Sequence, residues 1–373
     1  MNKPRLAYID NLKALLIIFI VLQHVANTYS GIGMWYYNEH SSLTNITFYS
    51  FFSLEALTQA YSMSLFFMIA AYFIPKSLEK KGTKKFIADR FYRLGMPIVI
   101  YIFLIHPICV KMSHPDINLG KWLIHGLLSF RFLGWTGPLW FALTLLIFTL
   151  IYLACKNWID VLVRKYSFAI TTKNVWLLIL LITLSAFAIR LVFPIGSAFL
   201  GLQFCFFAAY IVMFTLGIIA YQKNLFARIS YQLGIKWLIA AFAIGTPIWI
   251  LVLHFAISAK NTISPSVFGG WHLLALGNAF RESFFCVAVI IALIGIFQAR
   301  FNTQNTLQKF LSTNAFGVYV FHAPIVVATT LLFKNMPWPP LTKFAIVACI
   351  AVPASFCVSH IIRTVPILNK LFS

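Results

Sequence analysis

Ten apolar runs, each about as long as a transmembrane helix, dominate this chain of 373 residues. A helix needs about 20 apolar residues to cross the roughly 30 Å of hydrocarbon in a bilayer. Of the residues, 61% are hydrophobic and only 10% are charged, which is more apolar surface than one soluble core can bury. The sequence therefore predicts an all-α, polytopic membrane protein with about ten transmembrane helices and a single domain over residues 1–373. The predicted spans are Tyr8–Tyr29, Phe51–Ile74, Phe91–Val110, Leu139–Cys155, Val175–Phe193, Leu200–Tyr221, Trp237–Ile257, Phe280–Phe297, Ala315–Phe333 and Phe344–Ile362.

The basic residues fall mostly in the short connections between the apolar runs. There are 29 Lys and Arg residues against 8 Asp and Glu residues, a formal net charge of +21. Positive-inside sorting and anionic lipid headgroups explain this excess, so no nucleic-acid partner is predicted. Alternate connections carry about twenty basic residues on one side and about seven on the other. Both termini are therefore predicted to be cytoplasmic, and the loop Ser30–Ser50, which lacks Lys and Arg, is predicted to lie outside.

The cysteines and histidines show no spacing typical of a metal site. The 6 cysteines stand singly, without a CxxC motif or a histidine at ligand spacing. We therefore predict no metal. The histidines to which the sequence assigns no chemistry are His40, His106, His114, His125, His254, His272 and His360.

The first span carries three ionisable residues, Asp10, Lys13 and His24. An ionisable side chain inside a span costs roughly 2.5–3.5 kcal/mol or more, which makes each a functional candidate. Lys13 and His24 lie about three helical turns apart, so both can face one interior channel. A buried, neutral His24 is either a general base or a hydrogen-bonding residue between helices. Asp10 and Lys13 can neutralise one another near the cytoplasmic interface.

Two further charged pairs are placed at the ends of spans. Arg90 and Arg93 open the third span and point the same way, which suits the phosphates of a nucleotide-like ligand, although ordinary positive-inside anchoring explains them equally well. Arg281 and Glu282 are expected at the outer start of the eighth span. An ion pair at the membrane interface explains that second pair.

His322 lies near the middle of the ninth span, one turn after Tyr319 and two residues before Pro324. The proline interrupts the backbone hydrogen bonds of the helix. His322 therefore either belongs to a polar pocket with Tyr319 or satisfies the carbonyls that the proline frees. Trp140 either lines the same site or belongs to an aromatic belt at the interface.

Four segments together carry a resemblance to a known family. Most of the chain lies between the first and the last of them. The segments are YIDNLKALLIIFIVLQH (Tyr8–His24), SLFFMIAAYFIPKSLEKKGTKKFIADRFYRLGMP (Ser64–Pro97), GPLWFALTLLIF (Gly137–Phe148) and FGVYVFHAPI (Phe316–Ile325). In order and spacing they resemble the acyltransferase family 3 membrane proteins, and most closely those of the glucan-biosynthesis protein C type.

This resemblance implies an O-acyltransferase that takes an acyl group from a cytoplasmic acyl-CoA, acetyl-CoA or succinyl-CoA, as co-substrate. The acceptor would be a hydroxyl of a glycan or similar cell-surface molecule, and the location a bacterial cytoplasmic membrane. His24 matches the family's catalytic histidine, and Arg90 and Arg93 match its R-x-x-R pair, implied to hold the donor's phosphates. Lys13 stands where the family usually has arginine, and we expect it to contribute positive potential to catalysis.

Two departures from the family pattern keep other functions open. Lysine at position 13 lacks the planar fork of arginine, and Ala70 and Ala71 replace a Ser-Gly pair, so close backbone approach there is in doubt. A multi-span transporter or exporter of a small or lipid-linked substrate would also place ionisable groups in a channel. A third hypothesis is that the protein is a membrane scaffold without catalytic activity.

Overall fold

A computed structural model describes residues 6–39, 43–165, 169–257 and 262–372. Within these ranges, ten helices are long and apolar enough to cross a membrane, which confirms the predicted fold class. They are α1 Ala7–Ser30, α2 Asn45–Lys81, α3 Thr83–Ser113, α4 Gly137–Lys165, α5 Thr172–Arg190, α6 Phe204–Lys223, α7 Tyr231–Ala256, α8 Leu273–Arg300, α9 Thr306–Leu332 and α10 Pro340–Thr364. Shorter helices at Leu119–Leu128 and Pro366–Phe372 connect or follow the spans.

Helix α8 begins earlier than the sequence predicts. It starts at Leu273 rather than at Phe280, so Arg281 lies more than two turns inside the helix and is only 1% exposed. The prediction that Arg281 and Glu282 lie at the start of this span is therefore wrong. The apolar residues before Arg281 are helical as well, because the Arg281 guanidinium binds Asn278 and Glu282 inside the protein.

Helices α3 and α7 widen locally to accommodate prolines. They contain the π-helical segments Phe91–Gly95, Tyr101–Ile105 and Ala241–Gly245. Each segment ends two residues before a proline, at Pro97, Pro107 and Pro247 respectively. A proline ring clashes with the carbonyl four residues earlier, and a wider turn at that carbonyl lets the helix continue. The segments therefore keep α3 and α7 continuous across the membrane.

In the part of the chain that the structure describes, the two largest apolar cores share α1, α2 and α6. Helix α1 packs against α9, α2 and α10 in the first core, to which α3 and α4 also contribute. Helices α5, α7 and α8 form the second core with α2 and α6. A charged side chain inside this bundle therefore needs a polar partner on a neighbouring helix or loop.

The closest approach between α2 and α6 occurs at a glycine. A Cβ on Gly217 would lie 2.2 Å from the Met68 carbonyl oxygen and 2.8 Å from the Ala71 Cβ. The alanine that replaces the family's glycine in α2 therefore does not prevent close packing, because the partner helix supplies the glycine. The backbones of α2 and α6 therefore do approach closely at Ala71, with the glycine on α6 rather than on α2.

We expect Gly217→Ala to destabilise the protein by about 1–3 kcal/mol, because the added methyl group overpacks a contact with no free space. The control is Gly277→Ala in α8, where a Cβ would meet no atom within 4 Å. There the same substitution removes a flexible residue from a helix and should leave stability unchanged or raise it by up to about 1 kcal/mol. Thermal unfolding of the two variants in nanodiscs measures both effects. Equal melting temperatures would contradict the close contact.

Candidate functional site

His24 lies near the C-terminal end of α1 and contacts rings from two other parts of the chain. Its imidazole stacks on the Trp35 indole with the centroids 4.3 Å apart, and on the His322 imidazole of α9 with the centroids 5.1 Å apart. His24 Nδ1 is buried without a hydrogen-bond partner among the described residues, while the residue as a whole is partly exposed. His24 therefore has a ring nitrogen with no competing partner, as a proton acceptor requires.

His322 is held in one orientation by the backbone of its own helix. Its Nδ1 lies 3.1 Å from the Val318 carbonyl oxygen and 2.9 Å from that of Tyr319. Carbonyl oxygens only accept, so Nδ1 carries the proton and Nε2, which is buried and unpartnered within the described chain, keeps its lone pair. Pro324 frees the carbonyl of Val320 instead. The prediction that His322 satisfies a carbonyl freed by the proline is therefore wrong.

Residues 31–39, which follow α1, fold back over the two histidines and bring Trp35 onto His24; we call them the covering segment. The Glu39 N–H donates to the Thr28 carbonyl at 2.8 Å. The Lys343 ammonium, 3% exposed, donates to Glu39 Oε1 at 2.8 Å. This ion pair ties the end of the covering segment to the start of α10, and it fixes Trp35 in place.

A second anchor joins the covering segment to α3. The Tyr36 hydroxyl lies 2.9 Å from the Tyr101 hydroxyl and 2.7 Å from His106 Nδ1. Burial raises the pKa of the Tyr36 phenol well above its ordinary value, so the hydroxyl keeps its proton for donation. The His106 ring in turn stacks on Trp135, with the centroids 5.3 Å apart. The sequence assigned no chemistry to His106, and nothing in its spacing links it to Tyr36.

The side chains of Tyr319 and Trp140 bind other parts of the bundle rather than the histidine rings. The Tyr319 hydroxyl donates to the Pro138 carbonyl at 2.7 Å and accepts from the Ala142 N–H at 3.3 Å. It therefore satisfies an N–H in the first α-helical turn of α4, where N–H groups have no partner within the helix. Trp140 stacks near Tyr210, with the centroids 5.6 Å apart, in the first core. Tyr319 thus joins α9 to α4, and Trp140 joins α4 to α6.

The other end of α1 holds an ion pair. Lys13 Nζ lies 2.9 Å from Asp10 Oδ1, and the ammonium sits 5.5 Å from the centroid of the Phe73 ring. The two charges neutralise one another, as one of the sequence-based alternatives states. Lys13 lies about 16 Å along the helix from His24, so the two side chains do not form one local cluster.

Arg90 and Arg93 occupy different environments. Arg93 Nε donates to Asp89 Oδ1 at 3.3 Å, and Asp89 also binds Lys81 at 2.8 Å. Arg90 makes no ion pair with a described carboxylate; its guanidinium lies 4.9 Å from the Phe86 ring centroid, and its Nε is buried without a partner. Arg90 is therefore the member of the pair with more hydrogen-bonding capacity left for a ligand.

These observations define a multi-pass integral membrane protein with a histidine pair inside its helical bundle. The chain belongs to acyltransferase family 3: the family's sequence model, Acyl_transf_3, described as an acyltransferase domain, matches residues 6–360. The protein is therefore a membrane acyltransferase. Searches of curated proteins and of solved structures found no significant match. In the described ranges, no group of three or more His, Cys, Asp or Glu side chains is arranged to hold a metal ion.

We expect Trp35→Ala to expose His24, because the indole covers one face of the imidazole. Reaction of His24 with diethyl pyrocarbonate, followed by peptide mass spectrometry, should then be several-fold faster than in the wild type. Trp271→Ala serves as the control, since Trp271 is 83% exposed and should leave the rate unchanged. An unchanged His24 rate in Trp35→Ala would show that the covering segment does not shield the site.

Proposed function

We propose that this acyltransferase moves an acyl group from a cytoplasmic acyl-CoA, such as acetyl-CoA or succinyl-CoA, to a hydroxyl of a glycan or similar cell-surface acceptor. The observation that carries the proposal is the partly accessible His24, stacked on the buried His322 and free of competing hydrogen bonds at Nδ1. A family 3 acyltransferase needs a group that can take a hydroxyl proton, and His24 meets the chemical requirements.

In the proposed reaction, His24 first accepts a proton and then returns it. The acceptor hydroxyl gives its proton to the imidazole as its oxygen attacks the thioester carbonyl. The carbon–oxygen bond forms and the carbon–sulfur bond breaks. The departing CoA thiolate then takes the proton back from His24, which returns to its neutral state.

His24 rather than His322 is the proposed base because of its access to ligands. His322 is 0% exposed, and its Nδ1 is occupied by two carbonyls, which leaves the ring fixed. The role we assign to His322 is to pack against His24 and keep that ring in its orientation. His322 Nε2, which has no partner among the described residues, keeps a lone pair with which it can accept a hydrogen bond from a ligand.

Trp35 supplies a candidate donor for the thioester oxygen. Its indole Nε1–H is buried and has no acceptor among the described residues, although the ring lies directly against His24. Negative charge develops on the carbonyl oxygen as the hydroxyl attacks, and a fixed N–H donor in a dry site stabilises it. The covering segment would therefore take part in the reaction as well as enclosing it.

The donor phosphates are assigned to the Arg90 end of the bundle. Arg90 has no carboxylate partner in the described chain, and the lysines of Lys76–Lys85 add positive potential nearby. Lys13, partnered by Asp10, lies between this end and His24 along α1. It lies along the proposed pantetheine path and offers N–H donors there, while its charge is balanced by Asp10. With this arrangement, the acceptor approaches from the side of the covering segment, at the end of α1 away from Arg90.

His24→Ala should lower kcat for acyl transfer by about 10²–10⁴-fold, the usual contribution of a general base. The assay uses purified protein in liposomes with acetyl-CoA and a mixed glycan acceptor, and it detects acylated product by mass spectrometry. His272→Ala, at an exposed position before α8, is the matched control and should retain wild-type rates. Equal kcat values for His24→Ala and the wild type would remove His24 from catalysis.

Arg90→Gln should raise KM for acetyl-CoA about tenfold or more, since it removes a charged donor of hydrogen bonds to phosphate. The increase should be smaller for Arg93→Gln, because Asp89 already engages Arg93. Lys236→Gln, at an exposed position near the start of α7, should leave KM nearly unchanged. If all three variants keep the wild-type KM, the donor phosphates bind elsewhere.

A further inference from the structure

Two arginines and one glutamate form a buried charged cluster between α5 and α8. Arg190 and Arg281 are each 1% exposed. Arg190 pairs with Glu282 Oε2, and Arg281 Nη2 lies 3.1 Å from Glu282 Oε1. The Arg281 guanidinium also sits 4.4 Å from the Trp249 ring centroid. The sequence placed Arg281 and Glu282 at an interface and did not single out Arg190, although an arginine within an apolar span is itself a signal.

The cluster holds more positive than negative charge. Glu282 is the one carboxylate that the described part of the chain places within ion-pair distance of either arginine. Arginine does not lose its proton in proteins, so the two guanidiniums and one carboxylate leave one uncompensated positive charge. Burying an uncompensated charge in a medium of low dielectric constant costs several kcal/mol.

Unused hydrogen-bond donors converge on a cavity beside this charge. Arg190 Nη1 is buried and has no hydrogen-bond partner within the described ranges. Ser64 Oγ lies beside the Cys286 thiol but also makes no hydrogen bond of normal geometry. Both residues line a cavity of about 20 Å³, as does Tyr210. The Tyr210 oxygen accepts from Gln59 Nε2 at 2.9 Å, which leaves its own O–H free to donate.

We propose that this cavity binds one small monovalent anion, with chloride as the probe ligand. A guanidinium nitrogen and two hydroxyl groups can each donate a hydrogen bond to an anion, and the bound anion would balance the charge of the cluster. Glu282 also lines the cavity, but its two carboxylate oxygens are engaged by Arg190 and Arg281. A water molecule would accept hydrogen bonds from these donors, but it would leave the net positive charge of the cluster uncompensated. The cavity volume is about that required by one water molecule, so sulfate, phosphate and carboxylate ligands do not fit.

The anion would join three helices directly. Ser64 lies on α2, Arg190 on α5 and Tyr210 on α6, and the ion pair of Arg190 with Glu282 connects this site to α8. Because a ligand that binds only the folded state stabilises it, chloride should raise the stability of the bundle in a saturable way. This site uses none of the residues assigned to acyl transfer, so it stands independently of the proposed function.

The first experiment measures thermal unfolding in nanodiscs as potassium chloride replaces potassium gluconate at constant ionic strength. We expect a saturable rise of about 3 °C for the wild type. Arg190→Gln should abolish the chloride dependence. Ser64→Asp, which puts a carboxylate in the cavity, should abolish it as well. Lys343→Met is the control: it breaks a buried ion pair that is already neutral, so it should lower stability but keep the chloride response.

The second experiment uses the unmodified protein and so does not depend on any variant folding. Crystals soaked in sodium bromide should give an anomalous peak in the cavity, within hydrogen-bond distance of Arg190 Nη1 and Ser64 Oγ. A cavity without a bromide peak would overturn the proposal. It would also be overturned by a wild type whose melting temperature does not depend on chloride, or by an Arg190→Gln variant that keeps the full response.

Discussion

The lack of water in the bilayer interior is the constraint on which this structure depends. Every polar group inside the spans must find a partner in the protein, or it must be retained for a ligand. Most do find partners: Tyr319 binds the start of α4, and Lys343 pairs with Glu39. Three of the exceptions lie together. Within the described ranges, His24, Trp35 and His322 each keep one buried nitrogen without a partner, and all three rings are in contact.

The covering segment converts two helical histidines into an enclosed site. Residues 31–39 follow α1 directly, so the same stretch of chain carries His24 and the indole that stacks on it. Anchors at both Glu39 and Tyr36 hold this segment against α10 and α3. A preorganised N–H donor and a base with few competing contacts are what acyl transfer requires of a protein. In the proposed reaction, this enclosure would also limit the access of water to the acyl donor.

The sequence predicted the ten spans well because each one carries its own apolar signal. It also singled out His24 and His322, since titratable residues are rare inside such runs. It did not predict their contact, the role of Trp35, or the Tyr36–His106 hydrogen bond, because these depend on how a loop folds back on the bundle. Arg190 and Glu282 are far apart in the chain, and their pairing follows from helix packing alone. The contact of Gly217 with α2 could not be predicted either, because it depends on how two helices distant in sequence pack together.

The central claim is that acyl donor and acceptor meet at His24 beneath the covering segment. Cryo-electron microscopy of the protein with a thioether analogue of acetyl-CoA, which cannot transfer its acyl group, tests this most directly. We expect the acyl carbonyl of the analogue beside the His24 ring and its phosphates near Arg90. A hydroxyl bound about 3 Å from the imidazole should then be close enough to attack the carbonyl. An analogue bound in full occupancy with its acyl group separated from His24 by packed side chains would contradict the account.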